Sequence, residues 1–149
     1  MKLLRSLFLL IFLLFCLYWL HAFMLIGVAK ESKLYYKQLK KELKEKGFAP
    51  DFLVLSGKRY FWDNGFLNKY GNAAKNSKHL SGEAIDIVVL DVNKDGKSNA
   101  KDVDIVFKIL DEQIVKNEGG IGTYKKETNF LSQQMIHFDC RGYWARWHK

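Results

Sequence analysis

From Leu7 to Ala29 no side chain is charged, and His21 is the one group there that titrates near neutral pH. As a helix this run measures about 35 Å at ~1.5 Å per residue, enough to cross a hydrocarbon core of ~30 Å. Lys2 and Arg5 precede it. The run exceeds the usual apolar core of a signal peptide, so residues 1–29 are expected to be a transmembrane signal-anchor, with a leader cleaved after Ala29 as the other option. After it, Glu31 to Lys46 predicts an amphipathic connecting helix, because Tyr36, Leu39 and Leu43 recur at helical spacing and Gly47 ends it. Phe52-Leu53-Val54-Leu55 predicts a short strand, 60–70 a short helix, 71–78 a loop, and Ala84 to Leu90 the strongest strand. Residues 102–117 predict a second amphipathic helix, with Val103, Val106, Phe107, Leu110 and Ile114 on one face. Gln134 to Cys140 is the last clear strand. Strands separated by helices without a strict repeat suggest a small α+β domain over 48–149, with an antiparallel sheet and flanking helices.

Composition narrows the class. The 149 residues suffice for one domain, 48% are hydrophobic and 27% charged, and proline occurs once, which excludes disordered, collagen-like and linker-dominated chains. Two cysteines, one of them Cys16 in the apolar run, exclude a disulfide-stapled scaffold and a four-thiolate zinc site. The net charge of +8 suits an anionic partner such as a wall polymer or a lipid surface. No basic stripe is interleaved with aromatics, so nucleic acid is not expected as a partner. Lys30, Lys33, Lys37, Lys40 and Lys41 outnumber Lys2 and Arg5, which by the positive-inside tendency argues for a cytoplasmic domain. A short N-terminal signal usually exports the domain behind it. The expectation is therefore a single-pass protein of the inner or cytoplasmic membrane, its domain on the periplasmic or extracellular side.

Two segments carry candidate chemistry. Ser77 to Asp86 places His79 before a glycine turn and Asp86 within a strand, and the turn can fold one back toward the other. In Ile136-His137-Phe138-Asp139, strand alternation puts His137 and Asp139 on one face and Ile136 and Phe138 on the other. Two imidazoles and a carboxylate make a three-ligand zinc site of the catalytic type. A hydrogen-bonded core histidine with surface carboxylates accounts for the same spacing.

The string Ser-x-His-x-x-Gly-x-Ala-x-Asp at Ser77 to Asp86 resembles the signature of the M15 zinc peptidases, which include D-Ala-D-Ala carboxypeptidases and murein endopeptidases. Ser56-Gly57-Lys58-Arg59 is similar to a Ser-Gly-Tyr-Arg element of that family, and His137-x-Asp139 followed by Arg146 and Trp147 looks closest to its murein endopeptidase branch. The resemblance spans roughly residues 50–149. It implies zinc held by His79, Asp86 and His137, with Arg59 approaching the substrate and Ser77 contacting it or bracing the turn. Where many relatives carry a glutamate base three residues before the last ligand, this chain has Gln134, which cannot accept a proton from water. Asp139 is then the candidate base, or it orients a ligand imidazole; Glu83 and Glu127 are weaker candidates.

Asp91 to Asp102 places oxygen side chains at Asp91, Asn93, Asp95, Asn99 and Asp102, with Gly96 at the sixth position and Lys97 offering a carbonyl. This matches the EF-hand spacing except for Asp at the last position, where it resembles a dockerin calcium loop. An Asx-rich turn capping the next helix through Asp102 is the other reading. Gly119-Gly120-Ile121-Gly122 lacks the Lys-Ser/Thr of a phosphate loop and is expected to be a turn or a close backbone approach. Together these features predict a zinc- and calcium-binding peptidase acting on peptidoglycan stem peptides or cross-links. The alternative is a catalytically inactive, calcium-stabilised wall-binding module.

Overall fold

The structure is a computed structural model that describes residues 2–60, 76–125 and 134–149, with α1 side chains described at 5–16 and from 23 onward. The expected helix at 60–70, most of the 71–78 loop and Glu127 therefore lie outside the described residues. The elements are α1 (Lys2–Met24), α2 (Lys30–Glu45), β1 (Phe52–Ser56), β2 (Ala84–Val89), α3 (Ala100–Ile109) running on into a π-helical turn (Leu110–Ile114), β3 (Gly120–Lys125), β4 (Gln134–Asp139) and β5 (Ala145–His148). The α+β expectation without a membrane helix describes this arrangement.

The five strands form one sheet in the order β1-β2-β4-β3-β5. Its pairs are antiparallel except β3 with β5, which is parallel, so the sheet is mixed rather than antiparallel throughout. β3 and β5 were not legible as strands, since β3 opens on glycines and β5 is short and aromatic.

One face of the sheet builds the core. Ile85, Ile87, Ile136, Phe138 and Ile121 are fully buried there. They pack with Tyr36, Leu39 and Leu43 of α2 and Val103, Val106 and Leu110 of α3 and its turn. The helical spacing of those α2 residues thus closes the core, and the lysines and glutamates between them face solvent.

Register places the site on the other face. Asp86 of β2 pairs with His137 of β4, His137 with Gly122 of β3, and Gly122 with Trp147 of β5. Ser56 of β1 pairs with Asp86 at the other end. One row of residues therefore crosses all five strands, and its polar members lie together because strand side chains alternate.

The expectation of an N-terminal transmembrane helix is corrected. Among the described residues no helix is long and apolar enough to cross a membrane. The expected membrane partner and single-pass localisation fall with it.

Candidate metal centre

His79, Asp86 and His137 converge. Their ligand atoms all lie within 4.8 Å of one another, and this is the one such group among the described residues. His79 Nε2 is 3.3 Å from His137 Nδ1 and 3.1 Å from Asp86 Oδ2, while His137 Nδ1 is 2.7 Å from Asp86 Oδ1. All three side chains are buried.

The outer nitrogens fix the rings. His79 Nδ1 donates to the carbonyl of Gly57 at 2.6 Å, since a carbonyl can only accept. His137 Nε2 faces Asp139 Oδ2 at 3.0 Å, and a carboxylate likewise accepts. In their neutral forms both imidazoles therefore turn bare nitrogens toward Asp86. Three electron-rich atoms facing one another require a cation between them, whether protons or a metal.

The protein supplies part of that charge. Arg59 Nη2 donates to Asp86 Oδ2 at 2.7 Å, and its Nε donates to Ser56 Oγ at 2.9 Å. Burial alone would raise the Asp86 carboxyl, but the adjacent His79 and His137 hold it far below the usual range. Burial likewise opposes a charge on His137, yet hydrogen bonds to Asp139 and Asp86 push it up to about 9.

Asp139 is enclosed. It is fully buried, and its Oδ1 accepts from the Gly120 amide at 3.0 Å and from Arg141 Nε at 2.8 Å. Arg141 Nη2 donates to Oδ2 at 2.6 Å, so the guanidinium fork grips the carboxylate at two points. Arg141 also lies 5.3 Å from the Trp147 ring, which itself leans on the His137 ring at 5.2 Å. Gly122 makes room for that contact, because a Cβ there would stand 2.2 Å from the indole. Neither Arg141 nor Gly122 stands out in the sequence as a site residue. The Arg two places after Asp139 and the glycine run are the signals that could have found them.

The remaining expected residues lie around this group or away from it. Ser77 Oγ accepts from the His79 amide at 3.3 Å and braces the turn. Glu83 is paired with Lys78 at 2.6 Å. Gln134 shares its strand parity with Ile136 and Phe138, away from His137, and its buried Oε1 has no partner among the described residues. Arg146 also points away from the site; its Nε donates to Asp111 at 2.7 Å and its Nη1 to the Gly119 carbonyl at 2.7 Å, fastening β5 to the π-helical turn.

No family model matches the chain, and no curated protein does. A similar solved structure is the L-Ala D-Glu endopeptidase ChiX of Serratia marcescens, with 17% identity and a TM-score of 0.46 over 80% of this chain and 85% of that chain. A likeness at that level carries no argument, and the chemistry rests on the residues themselves.

The calcium expectation finds no support in the structure. Asp91, Asp95 and Asp102 do not gather into a metal-holding group. Their oxygens are taken by backbone amides: Asp91 accepts from Asp95 and Gly96, and Asp95 from Lys97. Asn93 also accepts from the Asp95 amide, and Asn99 from that of Lys101. Asp102 is fully buried and accepts from Val92, Asn93 and Asn99, completing a capping box with Asn99 at the start of α3. These bonds form an Asx-rich turn, in which Asp102 ties the amides of Val92 and Asn93 at the start of the loop to the N-cap Asn99.

Proposed function

We propose that the chain is a zinc-dependent peptidase hydrolysing peptidoglycan stem peptides or cross-links. The observation that carries the metal is the facing of two bare imidazole nitrogens and a carboxylate. Their size supports zinc. A tetrahedral site with bonds of ~2.0–2.1 Å has ligand–ligand edges of about 3.3 Å; the His79–His137 and His79–Asp86 separations of 3.3 and 3.1 Å match it, and the His137–Asp86 edge of 2.7 Å would open on binding. The substrate class rests on the resemblance of Ser77 to Asp86, Arg59 and His137-x-Asp139 to the M15 peptidases.

His79, Asp86 and His137 would hold the ion, which supplies Lewis acidity and an acidified water when bound. Arg59 would orient a substrate carbonyl or carboxylate through its planar fork while staying tied to Ser56 and Asp86. Gly57 and Asp139 keep the two imidazoles in the tautomers that present bare nitrogen inward. Asp139 thereby acts as a positioning residue, since its enclosed oxygens leave no path to a proton on substrate or water.

That same enclosure, with Gln134 in place of glutamate, favours a second reading as a wall-binding module that holds metal without turnover. Defined cross-linked and uncross-linked stem peptides, incubated with zinc-loaded protein and followed by mass spectrometry, separate the two. The peptidase releases fragments and His137→Ala does not. Stoichiometric zinc without any product sinks the enzyme and leaves the binding module.

A further inference from the structure

The junction of α1 and α2, with the first turn of α2, packs against backbone that neighbours the ligands. Gly57, whose carbonyl fixes His79, lies so close to it that a Cβ there would stand 2.0 Å from the Met24 carbonyl oxygen and 2.7 Å from Val28 Cγ2. Gly82, in the turn between His79 and Asp86, has φ +76, and a Cβ there would stand 2.4 Å from the Gly27 carbonyl oxygen. The Ala29 amide donates to the Gly82 carbonyl at 2.8 Å. Ser32, fully buried in the first turn of α2, donates through Oγ to the Glu83 carbonyl at 2.6 Å and lies 3.2 Å from Cys140 Sγ. Glu83 immediately precedes the Asp86 strand, and Cys140 immediately follows Asp139.

We propose that residues 24–32, which supply no ligand, are a positioning brace for the metal centre and set its affinity. This rests on the metal reading above and adds a part of the chain to it. The physical ground is the geometry of the contacts. His79 takes its direction from Gly57, and Gly57 is backed on the far side by Met24 and Val28. The His79-to-Asp86 turn is held by one hydrogen bond at Gly82 and one at Glu83, both from the brace. Without those contacts the His79 ring keeps its partner but loses the wall that fixes where that partner sits.

The test alters the brace and leaves the ligands and their direct partners intact, in the full chain. Ser32→Ala removes one hydroxyl, while Glu83's carbonyl keeps its bond from the Cys140 amide. Ala29→Pro removes one N–H at a residue whose φ of −58 already suits proline. Leu43→Ala, in the core face of α2, serves as the control for simple loss of stability. Zinc affinity is read by competition with a chromogenic chelator, and metal-free stability by thermal melting. Both brace variants are expected to bind zinc about tenfold more weakly, at the low edge of what outer partners of a metal site contribute, while the control stays within about twofold. Brace variants that keep the parental affinity, or lose it only as far as Leu43→Ala does for the same drop in melting temperature, overturn the brace. A parental chain that takes up no zinc overturns the metal reading itself, and the brace with it.

Discussion

Replacing Asp139 by asparagine separates holding a ligand from moving a proton. The amide keeps one oxygen, which can still accept from the Gly120 amide and Arg141 Nε. Its NH2 then stands where Oδ2 accepted from Arg141 Nη2 at 2.6 Å and from His137 Nε2 at 3.0 Å. Two donors meet a donor, and two charge-assisted bonds are lost. Each is worth ~1.5–3 kcal/mol, and breaking a buried pair costs ~3–5 kcal/mol in all. The Arg141 side chain is 18% exposed, so water can relieve part of its loss, and we expect about 3 kcal/mol of destabilisation in urea unfolding of the metal-free protein. The His137 ring loses its outer anchor, so zinc affinity is expected to fall by about 10- to 100-fold. Turnover at saturating zinc decides the role. If Asp139 positions His137, activity per bound zinc survives in large part. Full zinc occupancy with no turnover refutes that reasoning and makes Asp139 the proton acceptor.

The geometry sets three further outcomes. Gly122→Ala forces the Trp147 indole off His137 and away from its bond to Tyr124 Oη, at a cost of about 1–3 kcal/mol, seen as a lower melting temperature and altered tryptophan fluorescence; unchanged emission with unchanged melting rejects the stacking. Asp102→Ala strands three backbone amides and is expected to lower stability by about 3 kcal/mol, with the parental chain melting identically in calcium and in chelator; a calcium-dependent rise contradicts the Asx-turn reading. In the metal-free protein His137 titrates near 9, above its ordinary 6.5, so its stabilising contribution is complete below about 6.5 and is lost as pH climbs through 9. Zinc competes with that proton, so affinity should climb with pH over the same window; a flat profile by chelator competition defeats the coupling.

Periodicity revealed what buries apolar surface and little of what sits under it. Tyr36, Leu39 and Leu43 gave α2, and Val103, Val106 and Leu110 gave α3, because burial of one stripe is what makes such helices stable. Ile85, Ile87, Ile136 and Phe138 gave β2 and β4 for the same reason. β3 escaped because its glycines are dictated by neighbours far along the chain. A Cβ at Gly120 would stand 2.6 Å from Asp139 Oδ2, and one at Gly122 would stand against Trp147. No local pattern announces such a contact. The convergence of His79, Asp86 and His137 was implied by the resemblance to the M15 peptidases, spacing alone having left a core histidine equally open, whereas Arg141's grip on Asp139 needed the turn after β4 to be seen. The apolar N-terminal run shows the opposite hazard: hydropathy alone named a membrane span, and among the described residues no helix is long and apolar enough to cross a membrane.

The row from Ser56 through Asp86, His137 and Gly122 to Trp147 bears on how this chain can change in length. One residue inserted within β2 or β4 would exchange the two sides of that strand beyond the insertion, sending an imidazole or carboxylate toward Phe138's company and an isoleucine toward the polar cluster. The 91–99 turn lies outside the ladder, so growth or shrinkage there leaves the alignment untouched. Insertions and deletions compatible with metal binding should therefore accumulate in the turns and spare the strands, a pattern that a library of random single-codon insertions would display directly.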